Sequence, residues 1–266
     1  MMHEPQPILV AHLFQPVNDA LVVLLRGLDA EEWNAPTAAG AWTVKDVAAH
    51  LLDTTLRRLS MHRDAYAPPL PPDAFANGLG AFVNGMNREG VAVLRRLSPQ
   101  ILIELHAHYG AQMAAFFETL DPFATAQWGV SWAGEEQSPM WFDIARELTE
   151  RWHHQQQIRD AVGREPLAHR EPVLETFVRA LPFTYRDVEA ADGTTVVLRI
   201  DDAAWTLARE GDWRLYAGAP DSPTTTVTMS GERAWKVFTK QKIDPQARVE
   251  GDARLAEPIS RMVSVI

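Results

Sequence analysis

The sequence predicts two domains in series, a helical bundle followed by a smaller α+β domain. Its 266 residues suit roughly one to two domains at about 150 residues each. Residues 1 to about 165 carry apolar side chains at a helical period, whereas β-branched runs at 194–200 and 224–230 indicate strands. We therefore place the domains at 1–165 and 170–266, with a linker near 163–171.

The helical region contains recognisable start and stop signals. Thr43 is a predicted N-cap with Asp46 three residues later, a variant of the capping box. Ser98 and Pro99 open another helix, and Gly163 follows the last one as a C′ glycine. The helical period recurs in segments near 7–28, 43–65, 76–96, 98–120 and 139–162.

The second region alternates between the two periods. Runs of strands bracketed by helices are typical of a small α+β domain. Residues 209–212 separate two of the runs as a hairpin-like turn. We expect helices near 172–189, 231–240 and 252–266, and strands near 194–200, 204–208, 213–217, 224–230 and 248–250.

Composition excludes several function classes. The chain has no cysteine, so it holds no disulfide, thiolate nucleophile or cysteine-bound metal, and any reacting thiol must come from a small molecule. With 25 basic and 35 acidic residues, the net charge of −10 disfavours a nucleic-acid partner. The first residues have no secretory-signal pattern, and the apolar run 20–25 is far shorter than the roughly 20 residues a bilayer needs. We expect a soluble, cytoplasmic protein without a membrane partner.

Glu150 and His154 lie four residues apart, so they share one face of the predicted last helix of the bundle. A carboxylate and an imidazole at this spacing reach one cation, although a solvent-facing Glu–His pair has the same spacing. His153 is a competing ligand about 100° around the helix, with Thr149 rather than an acid four residues earlier.

His50 lies in the helix opened by Thr43. If it meets Glu150 and His154 across the bundle, the three form a His₂Glu set with open positions, which is typical of a catalytic metal site. Asp46 or Asp53 would then orient the imidazole. An exposed histidine beside acids is the alternative, and spacing alone leaves both readings open.

The segments AWTVKDVAAHLLD (41–53) and ELTERWHHQQQIRDAVG (147–163) resemble the DinB-like superfamily, and more closely the mycothiol-dependent maleylpyruvate isomerase family. The resemblance implies a DinB-like four-helix bundle with His50, Glu150 and His154 as the metal triad. Gln157 departs from the family, in which many relatives carry an acid there. The segments 224–238 and 247–259 are similar to the family's sterol-carrier-like second domain.

The resemblance implies a divalent metal, most simply zinc, and a low-molecular-weight thiol such as mycothiol. The reaction would be isomerisation or S-transfer on a small electrophile that bears carboxylates. The second domain would supply a cation for those carboxylates, with Arg199, Arg214 and Arg248 as candidates. A metal-dependent hydrolase on the same triad, and a non-catalytic protein that binds metal or an apolar ligand, are the alternatives.

Overall fold

The computed structural model describes residues 2–70 and 73–265, and it has the predicted fold class. Helices build the first part of the chain and a mixed sheet with flanking helices builds the second. The helices of the first part are α1 (Phe14–Arg26), α2 (Val44–Arg58), α3 (Leu79–Leu94), α4 (Pro99–Glu118) and α5 (Met140–Ala161).

The second part places a sheet in the order β3-β2-β1-β4-β5 against the remaining helices. Strands β1 and β4 are parallel, with Val196 opposite Thr225, and the other neighbouring pairs are antiparallel. The elements are α6 (Arg170–Val178), α7 (Leu181–Tyr185), β1 (Thr195–Ile200), β2 (Ala203–Glu210), β3 (Asp212–Ala217), β4 (Thr225–Met229), α8 (Gly231–Phe238), β5 (Arg248–Gly251) and α9 (Ala253–Ser260).

The predicted caps are confirmed. Asp46 N–H donates to Thr43 Oγ1 and Thr43 N–H donates to Asp46 Oδ2, which completes the capping box. Ser98 caps α4 by accepting from Ile101 N–H. Gly163 follows α5 with a φ of +62°, a conformation that costs glycine little. These signals fix where α2, α4 and α5 begin or end.

Three predicted helices are wrong in extent. The segment 7–28 is not one helix, because the chain is extended before a 3₁₀ turn (Ala11–Leu13), and α1 begins only at Phe14. The segment 172–189 is split into α6 and α7, with Pro182 in the first turn of α7. The last helix is predicted to reach residue 266, but it ends at Ser260. Residue 266 itself lies outside the described residues.

The extended N-terminal segment joins the sheet. His3 N–H donates to Ala217 O at 3.1 Å, and Ala217 N–H donates back to His3 O at 2.9 Å. Ile8 and Val10 follow with buried side chains in the same apolar core as the sheet. Burial in that core therefore replaces the helix that their spacing predicted.

The bundle and the sheet share apolar packing. Helix α2 packs against α3, α4 and α5, and α6 packs on α5. Trp152 of α5 meets Trp235 of α8 edge to face, with ring centroids 5.6 Å apart. The domain boundaries at 1–165 and 170–266 stay a prediction. Within the described residues, no helix combines the length and apolar character that crossing a bilayer requires.

Candidate metal centre

Helices α2 and α5 bring the three predicted ligands together. One potential ligand atom from each of His50, Glu150 and His154 lies within 4.8 Å of the others. The imidazole rings of the two histidines meet nearly perpendicular, with centroids 4.7 Å apart. Residues 100 positions apart in sequence thus form one cluster, which we call the ligand cluster.

Polar contacts hold α2 in register with its neighbours. Arg151 of α5 donates to Leu51 O at 2.7 Å and to Thr55 Oγ1 at 2.6 Å. From the other side, His106 of α4 donates through Nε2 to Ala48 O at 2.9 Å. These hydrogen bonds fix the turns of α2 on either side of His50, and they thereby fix the position of its imidazole opposite α5.

The orientation of His154 is set by Gln157. The Nδ1–H of His154 donates to Gln157 Oε1 at 2.8 Å, and both side chains are buried. Because an amide oxygen can only accept, this bond leaves the lone pair on Nε2, which lies 3.6 Å from Glu150 Oε2. Burial, with the neighbouring His153, lowers the pKa of His154 to about 3, so the ring is neutral at pH 7 and its Nε2 is able to bind a cation.

His50 is the least satisfied member of the cluster. Its side chain is buried against the rings of Trp42 and His154, and its Nδ1 has no hydrogen-bond partner in the described part of the chain. Burial, and then His154, hold its pKa well below the usual value. A buried neutral imidazole without a partner is costly unless something binds it.

The expected partners of His50 are engaged elsewhere. Asp46 closes the capping box and pairs with Arg95 at 3.0 Å, and Asp53 pairs with Arg57 at 2.8 Å. The prediction that Asp46 or Asp53 orients the imidazole is therefore wrong. Each carboxylate instead pairs with the positive charge of an arginine.

Glu150 supplies the carboxylate of the cluster. Burial raises its pKa, while His154 and Arg146 act in the opposite direction. A cation placed among the ligand atoms would favour the ionised carboxylate further. The group is therefore poised to gain from a positive charge.

His153, the competing ligand, points away from the cluster. Its Nδ1–H donates to Thr149 O at 2.8 Å, and its ring lies against that of His154 with centroids 4.0 Å apart. Burial lowers its pKa to about 4. The described residues that can surround one ion are His50, Glu150 and His154, without His153.

The residues present fit a divalent metal. Two imidazole nitrogens and one carboxylate oxygen are the donors of many catalytic zinc sites, which keep a further position open. The unpartnered Nδ1 of His50 and the tautomer set on His154 are what such an ion requires.

A buried ion-pair network lies beside the ligand cluster, and the sequence reasoning missed it. Arg58 of α2 pairs with Asp143 of α5. Arg146 also pairs with Asp143, at 2.7 Å, and Arg151 pairs with Glu147 at 3.2 Å. The signal was available, because residues 143, 147 and 151 recur at four-residue spacing on one face of α5.

The arginine candidates of the second region do not reach the cluster. Arg199, Arg214 and Arg248 are exposed on β1, β3 and β5. Arg248 pairs with Glu250 at 2.6 Å, and Arg214 lies 4.0 Å from Glu210. Among the described residues, no hydrogen bond or ion pair joins any of them to His50, Glu150 or His154.

Comparison with known families now places the chain. The family model described as "Mycothiol maleylpyruvate isomerase N-terminal domain" matches residues 14–159, the stretch from α1 through most of α5. The chain belongs to this family. No curated protein sequence matches it.

Solved structures of this family share the fold. The crystal structure of the mycothiol-dependent maleylpyruvate isomerase matches with a TM-score of 0.57 at 15% identity, over 93% of this chain and 95% of that chain. A histidine-to-alanine mutant of that enzyme gives the same values. The likeness covers both the bundle and the sheet, and at this identity it establishes the shared fold.

Proposed function

We propose that this protein is a metal-dependent enzyme that uses a low-molecular-weight thiol, such as mycothiol, on a small electrophilic substrate with carboxylates. The observation that carries the proposal is the ligand cluster, in which the ligand atoms of His50, Glu150 and His154 lie within 4.8 Å of one another. Membership of the maleylpyruvate isomerase family supports the thiol. The thiol and the substrate are then its partners, and a cytoplasmic location suits both.

Each residue of the proposed site has its own role. His50, Glu150 and His154 would hold a divalent ion, with zinc the best match to two imidazoles and a carboxylate. When bound, such an ion supplies the positive charge that keeps a coordinated thiol in its thiolate form. Gln157 holds His154 in the required tautomer, and Trp42 forms an apolar wall against His50. Because the chain has no cysteine, it offers no competing thiol.

The proposed chemistry is reversible addition of the thiol. In an isomerisation, the thiolate sulfur bonds to one carbon of a cis double bond, and the electron pair of the π bond moves onto the conjugated carbonyl. The resulting single bond rotates, the electron pair returns to form the double bond, and the same C–S bond breaks to give the trans product and the thiolate. In an S-transfer, the adduct leaves with the C–S bond intact and gains the proton that the thiol lost. Trp42, whose ring centroid lies 5.0 Å from that of His50, would shield one side of the site from bulk water.

Elemental analysis tests the proposal. We expect one zinc or similar ion per chain in the wild type, and its loss in His50→Ala, Glu150→Ala and His154→Ala. His153→Ala is the matched control, because its ring touches His154 without joining the cluster, and we expect it to keep the ion. A wild type without metal, or a metal content unaffected by the three changes, would contradict the site.

Turnover then separates the reaction classes. With the metal-loaded protein, cis-to-trans isomerisation of maleylpyruvate or formation of a thioether adduct should require added mycothiol. Hydrolysis that proceeds without any thiol would point instead to a hydrolase on the same residues.

A further inference from the structure

We propose that Arg146 of α5 binds a carboxylate of the substrate beside the ligand cluster. This inference rests on the proposed function and names the group that recognises the substrate's negative charge. It also moves that group from the second region, where the sequence placed it, to the bundle helix that carries Glu150 and His154.

Arg146 lies one helical turn from the cluster. It precedes Glu150 by four residues, so the two side chains share one face of α5 and their Cα atoms are about 6 Å apart along the axis. Helices α2 and α5 run antiparallel, since Arg151 contacts Leu51 while Asp143 contacts Arg58. Along α5, Arg146 therefore lies between the ligand cluster and the pair of Arg58 with Asp143.

The guanidinium of Arg146 is anchored on one side and open on the other. Its Nε and Nη2 donate to Asp143 Oδ1 at 3.2 and 2.7 Å, and Nη2 lies 3.6 Å from Glu147. Its Nη1 makes no hydrogen bond with any residue that the structure describes. The side chain is 19% exposed, so a small anion can approach the open edge. A guanidinium held in this way needs little reorganisation to bind a carboxylate.

The other arginines on α2 and α5 near the cluster have less to offer. Arg58 and Arg151 are 4% and 8% exposed, and both serve the ion-pair network. Arg57 of α2 is more accessible, but all three of its nitrogens have partners. Its Nε donates to Asp53 at 2.8 Å, its Nη2 to Asn87 at 2.6 Å, and its Nη1 contacts the sulfur of Met86 at 3.9 Å. Arg146 therefore combines accessibility with a free donor.

The second region lies on the opposite face of α5. Trp152 packs against Trp235 of α8, and it is two residues from both Glu150 and His154. Two residues on a helix correspond to about 200° of rotation, so α8 and the ligand cluster are on opposite sides of α5. This geometry explains why the candidate arginines on β1, β3 and β5 do not reach the ligand cluster.

Maleate binding to the full-length protein tests the inference. Calorimetric titration would measure its Kd with wild type, Arg146→Met and Arg146→Lys, each zinc-loaded and each treated with EDTA. Arg164→Met is the matched control, because it removes one positive charge that pairs with Glu32, after the end of α5. Neutral dimethyl maleate, titrated in parallel, has the same carbon skeleton without the carboxylate charges, so its Kd measures the fit to the site alone.

We expect Arg146→Met to raise the Kd for maleate at least tenfold, while the Kd for the ester and the zinc content stay unchanged. Arg146→Lys keeps a positive charge beside Asp143, so its Kd for maleate should lie between those of wild type and Arg146→Met. It replaces the Met variant if that variant does not fold. Arg164→Met should stay within twofold of wild type. A wild type that does not bind maleate, or a Kd for maleate independent of Arg146, would overturn the inference.

The two proposals fail in different ways. Zinc-loaded protein whose maleate binding ignores Arg146 refutes the carboxylate site and leaves the metal enzyme standing. A wild type without metal, whose maleate binding in EDTA still depends on Arg146, refutes the metal enzyme and supports the carboxylate site.

Discussion

Two polar clusters are buried side by side between α2 and α5, and they differ in how their charges are compensated. In the ion-pair network of Arg58, Asp143, Arg146, Glu147 and Arg151, each charge faces an opposite charge, although the Nε atoms of Arg58 and Arg151 lack hydrogen-bond partners in the described part of the chain. In the ligand cluster, His50 Nδ1 likewise lacks a partner among the described residues and faces no compensating charge of its own, and the Nε2 atom of His154 lies 3.6 Å from Glu150 Oε2.

The difference separates a structural role from a binding role. A buried charge that already faces its opposite contributes to the fold, whereas a buried group without any partner costs stability until a ligand arrives. Arg146 lies between these two cases, since its Nε and Nη2 serve the network while its Nη1 makes no hydrogen bond with any described residue. The experiments below test this contrast from the largest expected effect to the smallest.

Breaking the network should cost the most. Asp143→Asn keeps the side-chain shape but removes the charge that faces Arg58 and Arg146, which leaves buried guanidinium charge uncompensated. We expect the free energy of unfolding to fall by about 3–5 kcal/mol, measured by urea denaturation.

An exposed ion pair provides the control for that loss. Glu250→Gln removes the partner of Arg248 at the surface, where such pairs contribute about 0–1 kcal/mol. If Asp143→Asn destabilised the protein no more than Glu250→Gln, the network would not have the structural role assigned to it.

Weakening the ligand cluster should lower the affinity for metal rather than the stability of the fold. Gln157→Leu removes the acceptor for His154 Nδ1–H, so the ring loses its fixed tautomer. We expect zinc affinity to fall about 10- to 100-fold in competition with a chromophoric chelator.

The neighbouring glutamine is the matched control. Gln156 is equally buried on α5, but it donates to Asp160 at 2.8 Å and accepts from Leu167 N–H at 2.8 Å, away from the cluster. Gln156→Leu should leave zinc affinity within twofold of wild type. Equal losses in both variants would mean that Gln157 acts only through the fold of α5.

His106, a buried histidine outside the ligand cluster, tests by pH the case of an imidazole that has its hydrogen-bond partner. Burial lowers the pKa of His106 to about 4 from 6.5, although its bond to Ala48 O opposes the shift and Arg151 adds to it. Protonation of His106 therefore favours the unfolded chain. The stability that depends on its neutral ring is fully present above pH 6.5 and is lost as the pH falls towards 4.

His106→Gln removes that titration. Between pH 7 and 5.5, the wild type should lose about 1 kcal/mol more of its free energy of unfolding than the variant loses. His108→Gln is the control, since it makes the same substitution at an exposed position of the same helix. Parallel profiles for wild type and His106→Gln would contradict the assignment.

Local signals in the sequence predicted much of the fold. The capping box at Thr43 and the Ser98-Pro99 start are short-range effects, and each marks the start of the expected helix. The spacing of Glu150 and His154 predicted a shared helix face. That His50 joins them came from the family resemblance, because no local pattern shows which helices pack together.

The failures of prediction have tertiary causes. Ile8 and Val10 match the apolar spacing of α1, yet the core they enter includes a sheet made some 200 residues later in the chain. Asp53 lies one turn from His50, but Arg57 on its own helix captures it. Gln157 looked like a departure from the family, and only its contact with His154 reveals a role.

The bridge between His3 and Ala217 has a consequence for synthesis of the chain. The two residues are 214 positions apart, so the contact forms only after synthesis has passed Ala217. Contacts this distant in sequence slow folding, because a long loop must close before they contribute. The segment around His3 thus docks only once β3 exists, and the outer edge of β3 stays open to intermolecular strand pairing until it does.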